Sequence, residues 1–249
     1  MRIGGSMEEN LQKEVTDKFS LRGRVYKQLR EDILNGRYNA GDELKEVAIG
    51  EEYGVSRTPV RDAFHQLELE GLISIVPNKG AIVDGISPKD VYDIYEIRIR
   101  LEGLAARLAC EHITNAQMDE MEEILYMSDF HAGREHYEKV TELDSQFHKL
   151  MYAASGSKRL ELLLNDFHQY LHMVRKNSLS TADRGKISNE EHKLIAEAIR
   201  KNDPDEAERL AHEHIENALK NAMAHGLKEL IEKEETIKKA VNKKESKIG

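Results

Sequence analysis

The chain has 249 residues, enough for one or two domains of ordinary size, each able to bury a core. A third of the residues are charged, 6% are aromatic and four are proline, the profile of a helix-rich protein. No stretch nears the roughly 20 apolar residues of a membrane helix, and no charged segment followed by an apolar one opens the sequence, so neither membrane insertion nor secretion is expected.

The formal charge of −9 argues against a generally basic nucleic-acid binder. Contact with DNA is local, however, and Val55 to Arg61 holds two arginines and no acid. The single cysteine, Cys110, has no intramolecular partner for a disulfide, which agrees with a reducing cytoplasm.

Residues 1–20 read as a flexible N-terminal segment. Leu21 to Leu34 then reads as an amphipathic helix, with Val25, Leu29, Ile33 and Leu34 at helical spacing and Asn35-Gly36 as its stop. A second helix is predicted from Glu46 to Tyr53, ended by Gly54, which can take the left-handed conformation. Ser56 is the expected cap of a third helix that tolerates Pro59 in its first turn and ends near Glu70-Gly71. Ile73 to Val76 and Ala81 to Val83 read as short strands joined by Pro77-Asn78-Lys79-Gly80. Three helices and a β-hairpin over residues 21–85 make a winged helix-turn-helix.

Beyond Gly85 the pattern is helical only. Helix starts are expected at Ser87-Pro88, Thr114 with Gln117, Ser188 with Glu191, and Asp203-Pro204 with Glu206; breaks are expected at Gly133, Gly156 and Gly185. Residues 86–226 therefore read as an all-α antiparallel bundle of about six helices, and residues 227–249 as a Lys/Glu-rich tail. The fold class is mainly α.

In the helix after Ser56, Arg57, Arg61 and His65 lie four apart on one face, while Val60, Phe64 and Leu67 line the opposite one. One face can pack while the other presents long donors to a major groove. Arginine can donate two bonds to guanine, and Ser56 and Thr58 can bond phosphate near the helix N-terminus. Lys79 sits at the wing tip, within reach of phosphate or the minor groove. A solvated arginine face would show the same spacing.

The run Leu29-Arg30-Glu31-Asp32-Ile33-Leu34-Asn35-Gly36, then Gly41, then Gly54-Val55-Ser56-Arg57-Thr58-Pro59-Val60-Arg61-Asp62-Ala63 resembles the DNA-binding domain of the GntR family. Leu67 to Ile73 and Pro77-Asn78-Lys79-Gly80 continue the resemblance through the wing. It implies operator contacts from Arg57, Thr58 and Arg61, with Gly80 and its neighbour at the wing. Val47 stands where some relatives carry a further DNA-contacting arginine, and Gly50 stands where alanine is usual.

Asp144 and His148 are four apart on or beside the stripe Val140, Leu143, Phe147, Met151. Aspartate is a poor helix-interior residue, so its place there needs a reason. His192 shares a face with Ile195 and Ile199, and His214 with Ala207, Ala211 and Ala218. Taken singly, each histidine fits a hydrogen-bonded core position. Together they suit a divalent transition metal: zinc first, with nickel or manganese as alternatives.

The combination Asp144-x-x-Phe147-His148, Glu191-His192 and His214 resembles the FCD effector domain of the FadR-like branch of the GntR family. Ile94 to Glu102 followed by Ala105-Ala106 is similar to that domain's first helix. The resemblance implies Asp144, His148, His192 and His214 as metal ligands and a small organic acid as effector. Arg98 falls on the Ile94, Leu101, Ala105 stripe, where an unpaired charge is costly; it pairs either with a protein carboxylate or with a ligand's. Arg175 is a second candidate for effector contact. His168 and His172 form a rival pair, ranked as pocket lining or surface.

These readings converge on a homodimeric transcriptional repressor, bound to a near-palindromic operator and controlled by a carboxylate effector. Direct metal sensing is the alternative. A metalloenzyme is disfavoured because no recognised motif supplies a general base beside the metal.

Overall fold

The computed structural model describes residues 20–77, 79–171, 182–234 and 236. The chain divides into two compact units, Met1–Ser87 and Pro88–Gly249.

The first unit begins with α1 (Leu21–Leu34), capped by the Ser20 side chain, followed by β1 (Glu43–Leu44), α2 (Glu46–Tyr53), α3 (Arg57–Leu69), β2 (Ile73–Val76) and β3 (Gly80–Val83). The strands form one antiparallel sheet in the order β1-β3-β2, with Leu44 opposite Ala81 and Ile75 opposite Ala81 on its other side. The hairpin is where the sequence pattern puts it. The two-residue strand β1 has too little sequence to show any periodicity.

Val25, Leu29, Val60, Phe64, Leu67 and Ile73 fill the core of this unit. Two buried polar ties fix its helices. Asp32 accepts from the Tyr53 hydroxyl at 2.7 Å, linking α1 to α2, and Arg30 donates to Glu70 at 2.7 Å, linking α1 to the end of α3. Gly54 closes α2 at φ +65, a conformation that a β-carbon disfavours.

The second unit is helical: α4 (Pro88–His112), α5 (Asn115–Ala132), α6 (Tyr137–Ala154), α7 (Lys158–Tyr170), α8 (Ala182–Arg200) and α9 (Pro204–Ala222), followed by a π-type turn over Met223–Leu227. The contact between α4 and α9 is the most extensive of the unit. Small residues permit it: Ala105, Ala106 and Ala109 join Ala207 and Ala211 in one core, and a Cβ on Gly103 would come within 3.1 Å of the Glu208 carbonyl oxygen. None of the described helices is long and apolar enough to cross a membrane.

Two starts follow the sequence closely. Thr114 and Gln117 form a reciprocal capping box on α5, and the Asp203 side chain accepts from the Glu206 backbone on α9. The expected start at Ser188 and break at Gly185 are corrected, because α8 runs through both. Ser188 there donates to Asp144 at 3.3 Å, and Asn189 donates to Asp129 at 2.6 Å. These polar side chains serve neighbouring helices rather than their own helix end.

Candidate nucleic-acid interface and metal centre

In the first unit α3 presents Arg57 and Arg61 with side chains 63% and 55% exposed, while Val60 and Phe64 lie buried beneath. Thr58 and His65 share the exposed side, and His65 lies 4.0 Å from Glu68. Ser56 occupies the N-cap position in extended conformation but makes no capping bond with its side chain. Its hydroxyl is therefore not committed to the helix, contrary to the expected cap.

The wing closes the other side of a groove that Glu46, Arg57, Arg61, Pro77, Lys79 and Gly80 line. Gly80 is required there. Its φ is +105, and a Cβ would fall 2.2 Å from the Leu44 carbonyl oxygen. The wing thus sits against β1 in a way only glycine permits. Sequence reasoning missed Glu46, which contacts both arginines; a first-turn acid on the neighbouring helix was its only signal.

In the second unit α6 supplies Asp144 and His148, α8 supplies His192 and α9 supplies His214. The Nε2 atom of His214 lies 3.1 Å from that of His192 and 3.4 Å from that of His148. All three rings are buried. Oδ1 of Asp144 lies 3.7 Å from Nε2 of His192. Phe147 stacks on His192 with ring centroids 4.1 Å apart and holds that imidazole in plane.

Two carboxylates stand behind this cluster, and the sequence reading assigned neither. Oε2 of Glu191 lies 2.7 Å from Nδ1 of His214, and its other oxygen accepts from Asn217 at 2.9 Å. Burial works against ionisation of Glu191, but the His214 hydrogen bond, followed by the charge of Arg184, outweighs it and brings the carboxyl to about 2. Oε2 of Glu102 lies 2.8 Å from Nδ1 of His148, a close contact off the line of a good hydrogen bond. Burial pushes the His214 imidazole down to about 4, so it is neutral at pH 7.

With its proton held on Nδ1 by Glu191, His214 is left with Nε2 as a lone-pair donor, and the Glu102 carboxylate beside Nδ1 of His148 favours the same tautomer there. Two lone pairs facing each other repel unless a cation lies between them. Nitrogen ligands at the usual zinc distance in a tetrahedral shell would be about 3.3 Å apart, close to the spacings seen. The donor set fits a divalent transition metal.

Arg98, 1% exposed, donates through Nε to Glu102 at 2.7 Å and through Nη2 to the same oxygen. Tyr152 donates to that oxygen at 2.7 Å. Of the two partners the sequence left open for Arg98, a protein carboxylate is present. His168 is buried, with its ring centroid 5.5 Å from that of His148. His172 and Arg175 lie outside the described residues.

A family model described as "Bacterial regulatory proteins, gntR family" matches residues 21–83, and one described as "FCD domain" matches residues 93–217. Among curated relatives, the HTH-type transcriptional regulator YdhC of Bacillus subtilis is 30% identical over 205 residues, covering 79% of this chain and 91% of its own. The HTH-type transcriptional repressor RspR of Escherichia coli is 30% identical over 193 residues, covering 78% and 85%. Among solved structures, E. coli McbR/YncC superimposes with a TM-score of 0.67 at 20% identity, over 83% of this chain and 99% of its own. A putative transcriptional regulator from Rhodococcus superimposes with a TM-score of 0.59 at 23% identity, over 83% and 99%. These two structures bear on the fold alone. The chain belongs to the GntR family of bacterial DNA-binding transcriptional regulators, in the branch that carries an FCD domain, and is a regulator rather than an enzyme.

Proposed function

We propose that this regulator acts as a homodimeric repressor on a near-palindromic operator, and that a small carboxylate bound at a metal centre in the FCD domain controls its affinity for DNA. Asp144, His148, His192 and His214 would hold one zinc, nickel or manganese ion. The observation that carries this reading is the convergence of three imidazole Nε2 atoms from three helices, two of them backed by carboxylates at Nδ1.

When bound, such an ion would supply open coordination positions for a carboxylate. The chain's own contribution is orientation. Glu102 and Glu191 fix the imidazoles of His148 and His214, and Phe147 fixes that of His192. Arg57, Thr58 and Arg61, with Ser56, His65, Lys79 and Gly80 around them, are assigned to the operator. An effector shifts operator occupancy only by its differential affinity for the DNA-competent and incompetent arrangements.

The test is metal analysis of full-length protein loaded with zinc, nickel or manganese, followed by a thermal-shift screen against small carboxylic acids. One ion per chain is expected, lost in His214→Ala, together with an acid that changes operator affinity only in the loaded protein. Metal at well below one per chain after loading would remove the proposal. A change in operator affinity with metal alone, unaffected by any acid, would favour direct metal sensing instead.

A further inference from the structure

Glu46 is the first residue of α2, and both arginines of α3 share its carboxylate. Its Oε2 accepts from Nε of Arg57 at 3.2 Å and from Nη2 of Arg57 at 3.0 Å. Its Oε1 accepts from Nε of Arg61 at 2.8 Å, and Oε2 also accepts from Nη2 of Arg61 at 2.9 Å. The carboxylate is 19% exposed, far less than either arginine. The close approach has a structural cause. Gly50 lets α2 pack on the turn before α3, where a Cβ would come within 2.9 Å of the Val55 carbonyl oxygen.

An acid in the middle of a DNA-reading face is unexpected if charge neutralisation were its whole task. The geometry gives it another. Both guanidiniums turn the same edge, Nε and Nη2, toward Glu46. The end-on edge, formed by Nη1 and the second hydrogen of Nη2, is left for other acceptors. That edge offers two parallel N–H groups, the pattern that matches O6 and N7 of guanine.

We propose that Glu46 is a specificity-determining residue, holding Arg57 and Arg61 with their end-on edges toward the bases and withholding their side-on edges from phosphate. The inference rests on the assignment of the two arginines to the operator. Restraining two long side chains in advance reduces the rotamer freedom lost on binding. It also lowers the charge of the three-residue group from +2 to +1, which weakens the sequence-independent attraction to the DNA backbone.

The experiment uses full-length protein and two duplexes: one enriched by the wild-type protein from a random-sequence library, the other a shuffled duplex of equal length and composition. Affinities are measured by fluorescence anisotropy across a salt series. Glu46→Gln is expected to bind the enriched duplex at least about tenfold more weakly. The same variant should bind the shuffled duplex more tightly, with a salt slope steeper by about 0.9.

Glu46→Asp keeps the charge but is too short to bridge both arginines. It should lose discrimination between the duplexes without steepening the slope, and it carries the test if the glutamine variant does not fold. Equal proportional loss on both duplexes, with a lowered unfolding midpoint, would reduce Glu46 to a structural residue and overturn the proposal. So would an unchanged ratio. Arg57→Ala and Arg61→Ala separate the two levels of the argument. If they leave the ratio intact, the operator assignment itself has failed; if they abolish it while both Glu46 variants match wild type, only the role of Glu46 is lost.

Discussion

A guanidinium buried to 1% exposure persists in a protein interior only where its charge is matched, and Arg98 finds that match four residues along its own helix, in Glu102. Burial raises the Glu102 carboxyl, but the charge of Arg98 overcomes it and holds the group well below its usual range. Glu102 therefore joins Arg98, Tyr152 and His148. This arrangement supports a role for Arg98 behind the histidine cluster, through Glu102. Arg98→Met should cost about 3–5 kcal/mol of stability, because it leaves a buried carboxylate without its counter-charge. Adding Glu102→Leu should recover part of that in urea unfolding, while metal affinity falls by about tenfold or more with the loss of the His148 contact. Unchanged stability in the single variant would return Arg98 to direct effector contact. The i,i+4 spacing of Arg98 and Glu102 was legible in the sequence; the arrival of His148 from α6 was not, since nothing local links the two positions.

At the scale of elements, Thr114 and Ser188 show how one local pattern takes two roles. Each is a hydroxyl residue with an acceptor side chain three positions on, Gln117 or Glu191. Thr114 forms the box at the head of α5, whereas Ser188 lies inside α8 and reaches Asp144. Glu191 likewise turns to His214 instead of closing a box. Thr114→Ala should lower stability by about 1 kcal/mol without altering metal content, as lost caps do. Ser188→Ala should leave the helix intact and register instead in metal affinity, through Asp144. Metal titration followed by circular dichroism on both variants checks the pair; a loss of helix content at Ser188→Ala would restore its reading as a cap. The helices and hairpin of the first unit were legible because a strong apolar period coincides with glycine and asparagine stops. The strand β1 was not, because its two residues owe their conformation to pairing with β3.

For the whole molecule, two units with separate cores predict separate responses to metal removal. Chelator should lower the unfolding midpoint of the FCD unit and leave that of the DNA-binding unit in place. Ligand at a thousandfold excess over its dissociation constant contributes about 4 kcal/mol, so the shift should be plain in calorimetry. A single transition moving as one with metal would contradict it. The amino-acid sequence by itself determined the order and type of most elements, the arginine face of α3 and the family motifs, because these depend on spacing within one helix or one turn. Tertiary structure alone decided which side chains from different helices meet: Nε2 against Nε2, Glu102 and Glu191 behind the imidazoles, Glu46 beneath two arginines. Those meetings arise from packing between segments tens of residues apart, and no periodicity along the chain encodes them.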